Sequence, residues 1–301
     1  MTFSAGRVID GSRSEALPAR ERAPLVDGWG LLTLPGVGFL ALAFFVPLAG
    51  MMVRSVSDPS PANYLAVAET PVFLRSMLYT FEVALLVTLI CLALGYPWAY
   101  LMNQAAGRWR WVLAAMVVLP LWSSLLVRTY AWTVLLRDSG VVNQLLERIH
   151  LIGQPLPLMG NTLGVAIGMT QLMLPFMVLP IFAVLRQIDV DLLPAAESLG
   201  ARPLAAFVRV LWPLSLPGVF AGCLLVFVVS LGFFITPALL GSGRSPMLSQ
   251  LIVEQTNVLF HFGVGSALAV VLLIVTFAVI WLGTRFVPWT QALGYGESDR
   301  A

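Results

Sequence analysis

Side chains able to do chemistry are sparse in this 301-residue sequence, and their spacing argues against a catalytic centre. The two histidines, His150 and His261, stand alone, without Cys or carboxylate neighbours at metal-ligand spacing. No metal site and no catalytic residue are therefore expected. Cys91 and Cys223 lie inside apolar blocks that supply no partner for a disulfide or a zinc site, and they read as small core residues. A phosphate-binding loop needs a Gly-rich turn followed by Lys, and the sequence contains no Lys at all. The nearest look-alike, GSGRS at Gly241 to Ser245, lacks that residue and reads as a turn. The chain is expected to bind no nucleotide and no other cofactor.

What remains is charge and aromatic surface inside apolar blocks, and one patterned polar segment. Glu82 and Arg128 are expected at similar depths, each within about two turns of the external end of its span. Isolated charges at that depth cost several kcal/mol, so they either pair or face a hydrated cavity; the alternative is that both snorkel to the headgroups. Tyr130, Trp132, Phe233 and Phe234 could line a pathway or simply pack. Glu254, beside Gln255 and Asn257, is either solvated or meets something arriving from outside.

The patterned segment covers residues 186–216 and is too long for a simple connector. It reads as two short helices. Asp189 or Asp191 can cap the first, where Pro194 is tolerated in the opening turn. Leu192, Leu193, Ala196 and Leu199 give that helix an apolar face, and Gly200 stands where a left-handed residue ends it. Pro203 can open the second helix.

The elements that hold these residues are set by composition. Hydrophobic residues make up 59% of the chain and charged residues 11%, too little polar surface to wrap a soluble core of this size. The apolar residues fall into blocks long enough to cross about 30 Å of hydrocarbon as helices. Six are expected, at Trp29 to Val53, Met77 to Met102, Trp111 to Leu136, Leu163 to Leu185, Pro217 to Leu240 and Gly265 to Pro288. The fold class is thus an all-α membrane protein with a transmembrane domain over residues 29–290.

Residues 1–28 read as a disordered cytoplasmic tail without a signal peptide, and residues 291–301 as a second cytoplasmic tail. With an even number of spans both termini share a side. Arg7, Arg13, Arg20, Arg22, Arg108, Arg110, Arg186, Arg202, Arg209, Arg285 and Arg300 fall on it, against Arg54, Arg75, Arg137, Arg148 and Arg244 opposite. The positive-inside rule then places both termini in the cytoplasm. A net charge of +2, dispersed along the chain, gives no case for nucleic acid.

The segment at 186–216 resembles the coupling loop, the "EAA" loop, of binding-protein-dependent ABC importer permeases. Ala195, Ala196, Gly200, Val210 and Pro213 fill the corresponding places, and Pro217-Gly218 follows where the fifth span begins. Pro194 replaces the first Glu of the pattern and Trp212 its Leu, while Glu197 and Ala201 complete the candidate coupling residues. The resemblance extends from Leu34 onward and is strongest to the spermidine/putrescine-type permeases. It is carried by LGYPWAY at Leu94 to Tyr100, LPLWSSLLVRTYAW at Leu119 to Trp132, LPFMVLPIF at Leu174 to Phe182 and PGVFAGCLLVF at Pro217 to Phe227.

That resemblance implies six transmembrane helices of the ABC importer permease type, with a cytoplasmic coupling helix between helices 4 and 5, in a bacterial inner membrane. It implies as partners a second permease subunit, two ATPase subunits that bind the ATP and Mg, and an external solute-binding protein. It implies import of polyamines, with an iron chelate, an oxyanion or another amine as the alternative solute on the same architecture. A small Ala-Ala face and a Gly turn let a rigid knob seat in a partner's groove; the bland reading of the same residues is a helix lying on the membrane surface. An ion-coupled secondary transporter would call for carboxylates or repeat symmetry at mid-depth, and a membrane-embedded enzyme for a His or carboxylate cluster; neither is evident in the sequence.

Overall fold

The structure, a computed structural model, describes residues 28–286 apart from 59, 190 and 244, with side chains from residue 33 onward. The two expected tails therefore lie almost wholly outside the described residues. Two compact units are distinguished, Met1–Ala49 and Gly50–Ala301. Helix α1 runs from Gly28 to Ser57 and carries Pro35 and Pro47 within it.

The second unit holds the functional elements, all helical among the described residues. A short α2 (Asn63–Glu69) leads into α3 (Pro71–Gln104). Helix α4 (Arg108–Val118) passes through a 3-10 turn at Leu119–Trp122 into α5 (Leu125–Leu135). After α6 (Val141–Arg148) comes α7 (Thr162–Leu185), which opens on an Asn161 cap whose side-chain oxygen accepts the Gly164 N–H. Helices α8 (Leu192–Ser198) and α9 (Pro203–Ala206) precede a π-helical turn at Phe207–Leu211 and α10 (Trp212–Leu231). Helices α11 (Ile235–Leu240) and α12 (Leu248–Val253), a second π turn at Glu254–Val258 and α13 (Phe262–Phe286) complete the chain.

The core is the mutual packing of α3, α7 and α10. Its inward face on α3, including Val83, Val87, Cys91, Gly95, Ala99 and Met102, repeats at three and four residues as one helical stripe must. Met169, Met173 and Met177 form the facing stripe of α7. Their unbranched side chains fill gaps between helices of uneven approach. Gly95 of α3 and Gly222 of α10 both come up against Met177, where an added Cβ would lie 3.0 Å from its Cγ and 2.9 Å from its Sδ respectively.

Among the described residues five helices are long and apolar enough to cross a membrane, and a sixth span results if the bent α4/α5 pair counts as one. The third span expected over Trp111 to Leu136 is broken at Pro120, a residue whose type implies a kink, and its two halves meet at 100°. Pro120 clashes with a helical carbonyl one turn back, and Ser123 and Ser124 adopt extended backbone with ψ of 152° and 131°. Ser123 Oγ closes the break by donating to Pro120 O at 2.8 Å.

The helix that carries the fifth span is corrected. It runs without interruption over Pro203–Leu231 and ends before the expected Leu240. The second short helix expected after Pro203 does not end but continues through the π turn into α10. Pro213 has no N–H and its ring excludes the regular carbonyl geometry behind it; the π turn, in which the Trp212 N–H reaches Phe207 O, absorbs both. At the other end Gly232 terminates α10, and α11 is a separate turn held to α5 by the Thr129–Thr236 hydroxyl pair at 3.3 Å.

The stretch after α11 is anchored by one threonine. Thr80 Oγ1 donates to Ser76 O at 2.6 Å and accepts the N–H of Leu248, at the start of α12, at 2.9 Å in a buried setting. Replacing Thr80 by Val keeps the shape and strands that N–H, so Thr80→Val is expected to cost about 1–3 kcal/mol. The thermal unfolding midpoint of the detergent-purified protein reads this, and an unchanged midpoint would mean that α12 is anchored by packing alone.

Candidate functional site

The segment between α7 and α10 builds a projecting knob. Asp191 occupies the cap position of α8 but makes no side-chain cap bond; Asp189 Oδ1 accepts the Asp191 N–H at 3.0 Å instead, so the two aspartates divide the capping role. Pro194 sits in the first turn, where its missing N–H removes no helical bond. The Ser198 hydroxyl returns to Pro194 O at 2.9 Å.

The C-terminal end of α8 is a Schellman motif. Gly200 has φ of +90°, its N–H bonds Glu197 O at 2.9 Å, and the Ala201 N–H bonds Ala196 O at 3.1 Å. The reversal points Pro203 back toward the bundle. No residue of α8 is buried. Leu193 packs against the core, whereas Leu199, on the expected apolar face, is 90% exposed. Of the candidate coupling residues, Ala195, Ala196, Glu197, Gly200 and Ala201 cluster in α8 and its turn, while Val210 and Pro213 lie in or beside the π turn.

An aromatic joint connects this knob to α3. The Tyr96 ring meets Phe207 edge-on at 5.8 Å and Trp212 at 5.0 Å, and Tyr100 meets Phe207 at 6.0 Å. Tyr96 OH and Ser215 Oγ are hydrogen-bonded at 3.0 Å in the buried interior. Tyr96 and Tyr100, one turn apart on α3, thus grip both sides of the π turn. Sequence reasoning missed this joint, although both tyrosines stand in the LGYPWAY stretch.

The other sequence candidates are dispersed. Glu82 is exposed on the outer side of α3, off the buried stripe. Arg128 sits in the first turns of α5, its Nη2 donating to Ser123 O at 3.3 Å while Nε and Nη1 are buried without a partner among the described residues. No ion pair joins Glu82 to Arg128: Glu82 lies on the exposed side of α3, and Arg128 is bonded to Ser123 O at the α4/α5 break. Trp132 Nε1 donates to Gln171 Oε1 at 2.6 Å, and Trp132 and Phe233 pack against the core. Tyr130 is exposed, and Phe234 is the residue before α11. Cys91 is buried with its Sγ 3.7 Å from Thr170 O.

These elements define a polytopic helical membrane protein with a broken span and a helical knob projecting from one end. The chain belongs to the family of inner membrane components of binding-protein-dependent transport systems, whose profile matches residues 70–291. It is 31% identical over 261 residues to the spermidine/putrescine transport system permease protein PotB of Escherichia coli, a match covering 83% of this chain and 95% of that one. To PotB of Haemophilus influenzae it is 31% identical over 258 residues, 82% and 90% of the two chains. Its fold resembles that of a chain in the crystal structure of a bacterial alginate ABC transporter in complex with an alginate pentasaccharide-bound periplasmic protein, with a TM-score of 0.69 at 16% identity over 85% and 92% of the chains. It is accordingly a multi-pass inner-membrane permease subunit of an ABC importer, a transport component by family.

Proposed function

We propose that this permease imports polyamines of the spermidine and putrescine class, and that residues 186–216 are the cytoplasmic loop through which a separate ATPase drives it. One observation carries the substrate: the likeness to PotB runs over 95% of that protein, not over a shared motif alone. The coupling role is supported by a knob none of whose α8 residues is buried, which ends at the left-handed Gly200 and connects through the π turn to α10. A partner's groove would cover Leu199 and the Ala195–Ala196 face.

In this reading a second permease subunit completes the pathway and two ATPase subunits bind the ATP and Mg. An external solute-binding protein delivers the amine. Both termini are cytoplasmic, the transmembrane domain spans residues 29–290, and the segments before and after it are cytoplasmic tails. Glu82, Arg128, Tyr130, Trp132, Phe233 and Phe234 remain the candidate pathway residues. The alginate transporter, built on a similar fold, supports a second reading: the same architecture with another solute.

The test is ATP-dependent uptake of labelled spermidine and putrescine by proteoliposomes holding the chain with its co-purifying subunits and binding protein. Saturable uptake of either is the expected result. ATPase activity stimulated only by a binding protein loaded with another solute would replace the substrate and keep the importer.

The same vesicles test the aromatic joint. Tyr96→Phe removes the bond to Ser215 and leaves the ring contacts, so uptake per ATP hydrolysed is expected to fall roughly fivefold, the equivalent of about 1 kcal/mol. An unchanged ratio would show that α3 follows the knob through ring packing alone.

A further inference from the structure

At the end of the bundle where α3 begins, α2, α12 and the start of α13 enclose a cavity of about 390 Å³ with α3. Its lining combines apolar residues, among them Phe73, Leu251 and Leu268, with the polar Thr70, Glu254 and Gln255. Glu254 is the single charged residue among those lining it, and no Arg faces it there. Its carboxylate has no hydrogen bond or ion pair to any described residue.

The neighbouring polar groups are partly committed. Thr70 Oγ1 donates to Ala66 O at 2.6 Å and so keeps its lone pairs for an incoming donor. Gln255 Oε1 is engaged by His261 Nδ1 at 3.2 Å. Glu254 opens the π turn at Glu254–Val258, a local widening that recurs where helices carry function.

One carboxylate and one hydroxyl, with the Gln255 amide oxygen already engaged by His261, are too few protein oxygens for a calcium site, which takes six to eight ligands. An anion would meet the Glu254 charge. A primary ammonium on a short methylene chain matches this lining: its N–H groups are donors for the carboxylate and hydroxyl oxygens, and its chain suits the apolar residues.

The cavity also lies at the end where such a group would be delivered. Helix α3 spans roughly 50 Å over its length. Its far end, at Tyr100 and Gln104, borders the 186–216 segment, while its first turn borders the cavity. If the knob faces the ATPase, the cavity opens outside. We propose that it is a docking site for a primary alkylammonium group, with Glu254 as its charged contact. As the first station of an amine solute it rests on the polyamine reading; the headgroup of phosphatidylethanolamine carries the same chemistry.

The experiment titrates 4-fluorobutylammonium, followed by ¹⁹F line broadening, into the complete transporter in phosphatidylglycerol nanodiscs. Wild type is expected to bind saturably, Glu254→Gln roughly tenfold more weakly, and Glu254→Asp within about threefold of wild type, as the loss and the retention of one charge-assisted contact require. Glu254 is exposed, and an unchanged unfolding midpoint verifies that the variants are folded. Equal binding by wild type and Glu254→Gln overturns the site. Displacement of the probe by spermidine supports the solute as occupant. Displacement by soluble phosphatidylethanolamine but not by spermidine overturns that assignment in favour of lipid. Failed spermidine uptake beside Glu254-dependent probe binding counts against the polyamine reading alone.

Discussion

Gly218→Val is expected to unfold or severely destabilise the permease, with a loss of about 3 kcal/mol or more. Gly218 lies in α10 where that helix crosses α7, and a Cβ there would stand 2.9 Å from Pro180 O and 3.0 Å from Ile181 Cα. Both are backbone atoms, so no side-chain rotation relieves the contact and the two helices must part. Pro180 makes this worse, because its own ring already disturbs the helical bonds of that turn of α7. Separation would loosen the packing at Gly222 one turn further along, where α10 meets Met177 O at a would-be 3.1 Å. A drop in unfolding midpoint of roughly 5–10 °C, or loss of a monodisperse species, is the measurable outcome. The smaller Gly218→Ala meets the same backbone with one methyl and should fall between. A Val variant as stable as wild type would mean that α7 and α10 are not closely apposed in the membrane.

The existence of the long spans was legible because length and apolarity alone decide whether a helix can cross a bilayer. Leu163 to Leu185 differs from α7 by a single residue at its start, since Asn161 marks the cap and Arg186 the exit. Pro120 announced a kink, but its sharpness was not legible. The sequence from Leu119 to Trp132 is apolar across its break, so hydropathy passes over the 100° bend that Pro120, Ser123 and Ser124 create. The fifth span was misplaced for a related reason: apolar residues continue past Gly232, whereas the helix does not. At its front, Pro213 signals a boundary to any local rule, and only the π turn lets the helix pass through it.

The site divides along the same line. Gly200 could be read from the sequence because its role is local, fixed by the residues of one helix end. The Tyr96–Ser215 bond joins residues 119 apart, and neither type announces a partner inside an apolar run. The Thr80 anchor is similarly remote from Leu248, 168 residues on. Equal depth suggested a Glu82–Arg128 pair, but depth fixes one coordinate only. The helical face that Glu82 occupies and the bend that carries Arg128 decide the other two.

Gly200→Val is expected to lower ATP-driven uptake at least tenfold while leaving the membrane core folded. At φ of +90° a β-branched residue is strained by roughly 1–2 kcal/mol, enough to open the Schellman turn and free Ala196 O and Glu197 O from their bonds. The turn fixes the angle between α8 and the helix that starts at Pro203 and continues into α10, so its loss would let the knob move without the span. ATPase turnover should then persist, or lose its dependence on loaded binding protein, as transport falls. Nothing lies within 4 Å of a Cβ at this position, so the protein itself has room for any side chain there. Gly200→Asn, which tolerates left-handed backbone, is therefore expected to keep more than half of the uptake. If Asn and Val fail equally, the open space above Gly200 is filled by the ATPase, and contact rather than backbone geometry governs the position. If Val retains wild-type uptake per ATP, the 186–216 segment is not the coupling element.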